Sequence, residues 1–470
     1  MYKINSITQI SFEDFDQPMG LTMNPNNRWI IKSSLIPWKE FEHDYAKHFK
    51  EKGNVAKSLR TALGALIIQQ TLGYSDEETV LQIQENPYLQ YFIGLPGYQD
   101  AKPFDASSMV HFRKRLSEKT MQEINEKILK CNEPLPSTNS KDEEKDNDEE
   151  DRNSGTLILD ATCAPQYIKY PTDIDLLNDA REHSEKIIDK ICELNHFKKP
   201  RMYRRNARRD YLRVVRRKKK PQKWLYKQIR KQLNYVFRDI KYIDKFVKNA
   251  TIELSERHKV WFETIKTIYD QQNYMYQNKV HSVENRIVSF SQPWIRPIVR
   301  GKVKSPTEFG AKLDMSIDSY GFARIEKISF DAYNESGLLI DAIKNFKNRT
   351  GYYPKRVLVD KIYRNRDNIN YCKKLHIRIS GPALGRPKKG LIVDKKLEYQ
   401  DKSDRIEVER GFSIMKRKFS LKDIRTKLAE TTLSVISLSA IAMNLSKLMK
   451  NFLCLFFIFV KNNELFTKKQ

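Results

Sequence analysis

Apolar residues in this 470-residue chain follow two rhythms, one repeating every three to four positions and one every second position, and the changes of rhythm divide the chain. From about residue 36 to 130 the pattern is helical. Leu59, Leu63, Leu66 and Ile67 share one face of Ser58–Leu72, a Gly-Tyr-Ser-Asp break follows, and Glu77–Gln84 resumes the period, so several short helices joined by turns are predicted. Leu176–Leu194 reads as a long helix, and Tyr235–Tyr276 carries a further helical period. Beyond Gln292 the rhythm becomes β-like. Phe309–Ile317 and Phe322–Phe330 alternate as paired strands across the turn Asp318–Gly321. Glu335–Lys347 is then a helix with Leu338, Leu339, Ile343 and Phe346 on its apolar side, Asp367–His376 a second helix, and Ile377–Ser380 a strand. Leu433–Val460 is the most apolar stretch. Asn444, Lys447, Lys450 and Asn451 interrupt it, and Phe452–Val460 falls far short of the roughly 20 residues that cross a bilayer, so a core helix with a packed tail is expected and no membrane span.

Two short apolar runs, Thr156–Leu159 and Arg356–Val359, read as buried strands, and each closes on an aspartate, Asp160 and Asp360. Ligand sites in α/β sheets gather outside the carboxyl ends of strands. A third carboxylate comes from a helical segment, Lys402–Lys416. At 100° per residue Arg405, Glu409, Phe412 and Lys416 fall at about 0°, 40°, −20° and 20°, one narrow stripe, with Glu407 near 200° on the far side. A carboxylate flanked by two cations can hold a divalent metal through Glu409 while Arg405 and Lys416 grip phosphate oxygens, the equipment of phosphodiester chemistry. Taken singly, the helix is equally an exposed i, i+4 ion pair, and either aspartate a turn or cap residue.

Asp160, Asp360 and the Lys402-x2-Arg405-x3-Glu409-x6-Lys416 segment resemble the DDE triad and the Tyr-Arg-Glu-Lys signature of bacterial insertion-sequence transposases. The resemblance extends to Asp160–Pro165, Glu308–Lys312, Asp331–Gly337, Ser380–Pro387 and the helical segment ending Phe104–Leu116. Lys402 stands where the signature has tyrosine, and Ile362 where Asp-x-Gly-Tyr has glycine. The resemblance implies an α/β RNase H-like catalytic core, a mixed five-stranded sheet with flanking helices, over residues 156–178 and 292–450. It also implies a helical module for DNA-end binding and dimerisation over residues 1–131, ending in the cluster His111, Arg113, Lys114 and Arg115. The implied activity is cleavage of double-stranded DNA at the element's terminal inverted repeats and strand transfer to target DNA, by a homodimer on DNA. Asp160 would bridge two Mg²⁺ ions, with Asp360 and Glu409 completing one site each; Mn²⁺ should substitute, since it accepts a similar oxygen ligand set. A catalytically inactive or host-adopted DNA-binding protein, and an RNase H-like nuclease without joining activity, are the other classes compatible with these residues.

The chain carries 86 Lys+Arg against 59 Asp+Glu, net +27, in keeping with a polyanionic partner. Much of the surplus lies in the stretch 179–291, read as a basic helical insertion. There Arg204, Arg205, Arg208, Arg209, Arg213, Arg216 and Arg217 alternate with Tyr203, Tyr211, Trp224 and Tyr226, a phosphate-facing surface whose aromatics are better read as helix packing than as base-stacking platforms. Residues 132–155 hold Asp142–Asp151, an acidic block expected to be a disordered tether. Residues 451–470 are read as a C-terminal tail. Five scattered cysteines lack zinc-ligand spacing and, being odd in number, suit a reducing cytoplasm, and Met1–Thr8 has no apolar export signal; the resemblance implies a bacterial, nucleoid-associated protein.

Overall fold

The computed structural model describes residues 1–3, 10–133, 153–249, 252–299, 307–381, 384 and 394–467. Most of the acidic 132–155 stretch and of the Ser380–Pro387 motif lies outside the described residues. The chain forms two compact units, one made of Met1–Pro165, Lys312–Ser329 and Tyr333–Gln470, the other of Gln166–Ala311 and Phe330–Ala332. The first begins, among the described residues, with seven helices: α1 (Arg28–Ser34), α2 (Trp38–Ala46), α3 (Leu59–Leu72), α4 (Asp76–Glu85), α5 (Pro87–Phe92), α6 (Ser108–Arg115) and α7 (Glu118–Cys131). Ser58, Ser75 and Ser117 start α3, α4 and α7 by accepting a backbone N–H of the first turn, and Gly73, at φ 75°, ends α3 in the left-handed conformation that a side chain would resist. The apolar face expected on α3 is in fact a whole circumference: Ala62, Leu63, Ala65, Leu66, Ile67 and Ile68 are all fully buried. Strand β1 (Thr156–Pro165) follows.

The second unit is built on α8 (Asp173–Leu194), α9 (Arg204–Arg216), α10 (Gln222–Asn249) and α11 (Glu256–Asn278). Leu177, Ile187, Ile188, Val236, Ile243, Ile265 and Ile268 form its core. The basic stretch is not one helix: α9 stops before the Lys218–Pro221 run, because proline disfavours helix at the residue before it and crowded like charges resist a further turn. The aromatics pack as expected, Tyr211 and Trp224 against this core and Tyr226 against Tyr276. Strand β2 (Arg296–Val299) pairs antiparallel with Thr307–Gly310, the opening residues of β3 (Thr307–Ile317).

In the first unit the rest of β3 joins β4 (Ala323–Ser329), β5 (Arg356–Leu358) and β6 (Arg378–Ile379) with β1, in the order β4-β3-β1-β5-β6. β3 and β4 are antiparallel, whereas β1–β5 and β5–β6 are parallel, so the sheet is mixed. Four helices complete the unit: α12 (Leu339–Thr350), α13 (Arg366–Lys374), α14 (Lys395–Lys418) and α15 (Ala429–Thr467). α15 differs from the expected helix plus packed tail by running unbroken through the Phe452–Val460 stretch. Its Ala429–Phe452 part is long and apolar enough to cross a membrane, yet 78% of its most apolar window is buried in the fold. Leu438, Ile441, Leu445 and Leu448 enter the same hydrophobic cluster as α2, α3, α5 and α7, which is why so long an apolar run is needed.

Candidate active site

Three elements of the first unit converge. β1 and β5 pair in parallel at Thr156↔Arg356, Leu157↔Val357 and Ile158↔Leu358. Carried two residues on, that register sets Asp160 and Asp360 level, and because side chains alternate, both share the face of Ile158 and Leu358. One expectation needs correction: β1 continues to Pro165, so Asp160 lies inside a strand and not at its end. Pairing with β5 stops at Ile158, however, so Asp160 stands just past the shared ladder. Asp360 lies two residues past the end of β5 and opens a 3-10 turn, Lys361–Tyr363, by accepting the Lys361 N–H at 2.7 Å.

Glu409 arrives on α14, whose inward stripe is Asp401, Val408, Phe412, Met415 and, at the end, Phe419. Asp401, to which the sequence reading assigned no role, fixes the helix in place. It is buried, accepts both Arg378 Nη2 at 2.8 Å and Arg356 Nη1 at 3.3 Å, and so bolts α14 to the first residues of β5 and β6. Arg356 also reaches Asp404 at 2.6 Å and Thr156 Oγ1 at 2.7 Å. The only signal in the sequence was an arginine opening each of two strands, too common to interpret.

One turn below Asp401, Arg405 lies with Nη1 3.9 Å from Asp160 Oδ2 and Nη2 3.2 Å from Glu409 Oε1. Lys416 donates to Thr162 Oγ1 at 3.0 Å, two residues along β1 from Asp160. Glu407 is turned to Arg410 at 3.3 Å. Arg405 thus separates two of the three carboxylates, and no group of three or more His, Cys, Asp or Glu side chains among the described residues is close enough to hold a metal ion.

Burial pushes the Asp160 carboxyl up to about 6, the charges of Asp360 and Glu335 adding to it while the Ala161 N–H and Arg405 oppose it. Glu335 is the acidic neighbour that sequence reasoning missed as a site residue. It opens the 3-10 turn Glu335–Leu338, where Lys312 of β3 grips it at 2.7 Å. Beneath these groups Asp314, fully buried on β3, accepts the hydroxyls of Tyr363, at 2.7 Å, and Tyr333. Burial raises the Asp314 carboxyl to about 6 against the pull of the two hydroxyls. Tyr363 closes the turn that Asp360 opens, and Asn368 Nδ2 ties its carbonyl to that of Ser336 with two 2.7 Å bonds, so one polar network supports the segments bearing Asp360 and Glu335.

In the second unit Arg204 and Arg208 turn to carboxylates of α8, Arg204 to Asp189 at 2.7 Å and Arg208 to Glu182 at 3.0 Å. Arg217 lies over the Trp224 ring. Arg205, Arg209, Arg213 and Arg216 are exposed.

A family model described as "Transposase DDE domain" matches residues 357–446, which include Asp360, Glu409 and Lys416 but not Asp160. A second, "Transposase domain (DUF772)", matches residues 21–115, the span of α1 to α6. An uncharacterized protein of Rhizobium meliloti, ORF8 in the nfe locus, is 26% identical over 159 residues, covering 34% of this chain and 72% of its own length. No solved structure matches.

Proposed function

The two family matches indicate an insertion-sequence DDE transposase, and from that premise we propose that the chain cuts double-stranded DNA at the ends of its element and joins them to target DNA by phosphoryl transfer, with Asp160, Asp360 and Glu409 as the acidic triad. The observation that carries this reading is the parallel pairing of β1 with β5, which ends two residues before Asp160 and Asp360, with Arg405 reaching both Asp160 and the helix-borne Glu409. The strand order of the sheet and its mixed pairing support an RNase H-like core.

The donors are all oxygens, and Asp160 is a carboxylate burdened by burial and by neighbouring anions, a condition that a divalent cation relieves. Asp160, Asp360 and Glu409 would hold two Mg²⁺ ions, Mn²⁺ substituting, which when bound activate the attacking water or 3′-hydroxyl and stabilise the leaving oxygen. Arg405 exchanges its carboxylate partners for phosphate oxygens, its fork suited to two at once, and Lys416, steadied on Thr162, adds a point charge alongside. Each serves as a positive charge where negative charge builds up. The working form is a homodimer on the terminal inverted repeats, in the bacterial cytoplasm.

The test is cleavage of the DNA ends that flank the reading frame. Asp160→Ala, Asp360→Ala and Glu409→Ala should each lower the rate at least about 1000-fold while end binding stays within about threefold, and Glu407→Ala should cleave normally. Activity in Glu409→Ala together with its loss in Glu407→Ala would move the ligand to the other face of α14 and sink this assignment.

A further inference from the structure

A groove of about 720 Å³ opens in the first unit beside Lys416, between the α3–α4 turn and the loop that joins α14 to α15. Its two walls differ in kind. Lys416 and the loop residues Lys422, Arg425 and Lys427 make one wall basic, with only Asp423, 3.3 Å from Arg425, set against them. The facing wall offers Tyr74 and Val110 together with Asp76 and Glu77 at the start of α4, and Asp76 is already held by Arg113. Since Lys416 also bonds Thr162 on β1, the basic wall begins at the triad's own strand.

A duplex carries phosphates on both of its flanks and hides the faces of its bases; a groove for it needs cations on both sides, whereas here Arg113 is taken up by Asp76 and Glu77 would repel the second strand. A single strand has phosphates along one edge and open base faces along the other, matching one basic wall and one wall of aromatic and aliphatic side chains. We propose that this groove binds an unpaired DNA strand continuing from the scissile phosphate, backbone toward Lys422, Arg425 and Lys427 and bases toward Tyr74 and Val110. The inference rests on the phosphoryl-transfer reading and deepens it by assigning a strand-specific subsite.

The experiment compares three substrates without added metal: an end duplex stopping at the cleavage point, the same duplex with six further unpaired nucleotides, and the same duplex extended by six base pairs. The wild-type chain should bind the unpaired extension about tenfold more tightly than the flush end, and the paired extension no better than about twofold. In the triple variant Lys422→Glu, Arg425→Glu, Lys427→Glu the gain from the unpaired extension should vanish while flush-end affinity and thermal midpoint are kept; Tyr74→Ala should lose part of the gain. An equal gain in wild type and triple variant, or an equal gain from paired and unpaired extensions, overturns the assignment. If wild type does not bind the flush end, or does not cleave the paired extension once Mg²⁺ is added, the transposase reading fails first, so the two failures are distinguishable.

Discussion

Asp314 is the side chain whose position is hardest to account for by packing. An apolar residue would cost less at a fully buried site, yet this carboxylate accepts the hydroxyls of Tyr333 and Tyr363, and each tyrosine closes or precedes a turn that carries an acidic group of the site. Its carboxyl is raised to about 6 from an ordinary 3.8, so the folded state holds the proton more tightly than the unfolded chain. The group's contribution to stability is therefore complete below about pH 4 and is lost as pH rises through 6. The hydroxyls limit that loss because they favour the ionised form. Tyr363→Phe removes one of them without changing the ring's volume, and the folded-state value should climb further. The expected outcome is a variant about as stable as wild type at pH 4.5 but weaker by about 1–3 kcal/mol at pH 8, read by urea denaturation at both pH values. A deficit equal at both would show that the ring's surroundings, and not the charge on Asp314, respond to the change.

At the scale of elements, α9 shows what a helical period does and does not reveal. Arg205, Arg209, Arg213 and Arg216 lie at about 0°, 40°, 80° and 20° around its axis, while Ala207, Asp210 and Val214, buried against the bundle, lie near 200°, 140° and 180°. The exposed arginines thus form one face turned away from the core, whereas Arg204 and Arg208 are spent on carboxylates of α8. Reversing Arg205, Arg209, Arg213 and Arg216 to glutamate should weaken binding to all duplexes alike and flatten the plot of log K against log salt by roughly one unit per lost phosphate contact. Arg204→Glu should act differently, lowering the melting temperature by placing a third carboxylate beside Glu185 and Asp189. The split between these two groups of arginines was not legible in the sequence: Arg204 and Arg208 fall at about 260° and 300° on the same wheel, and only the partner helix decides which stripe is neutralised. The same limit explains Asp401 and Glu335: their roles depend on contacts with residues 23 to 175 positions away, and no local pattern encodes them. The strand that bears Asp160, the strand that leads to Asp360, the β3–β4 hairpin and the stripe of Arg405, Glu409 and Lys416 were legible because period and turn chemistry act over a few residues.

Across the whole chain, residues far apart in sequence share one hydrophobic cluster in the first unit, and a polar pair holds its middle. Asn444 of α15 receives the Ala323 N–H at 2.9 Å and donates to the Ala323 carbonyl at 2.8 Å and to Asn125 of α7 at 2.9 Å; Asn125 in turn donates to the same carbonyl at 3.1 Å. All three residues are buried, so β4, α7 and α15 are locked together by groups that have no alternative partner in water. This fixes how the helical module of residues 1–131 meets the sheet that carries Asp160, and it makes that module part of the catalytic fold's stability. Asn444→Ala would strand the Ala323 N–H and remove two donations at once, a loss of about 2–4 kcal/mol when each unmet buried group costs about 1–3. The second unit has its own core, built on α8, α10 and α11, and among the described residues it shares none with this cluster. Calorimetry of the full chain should accordingly show Asn444→Ala shifting one transition to lower temperature while a second, belonging to the helical unit of residues 166–311, keeps its wild-type midpoint. A single transition that moves as a whole would mean that the two cores unfold together, and the independence argued from their separate clusters would be lost.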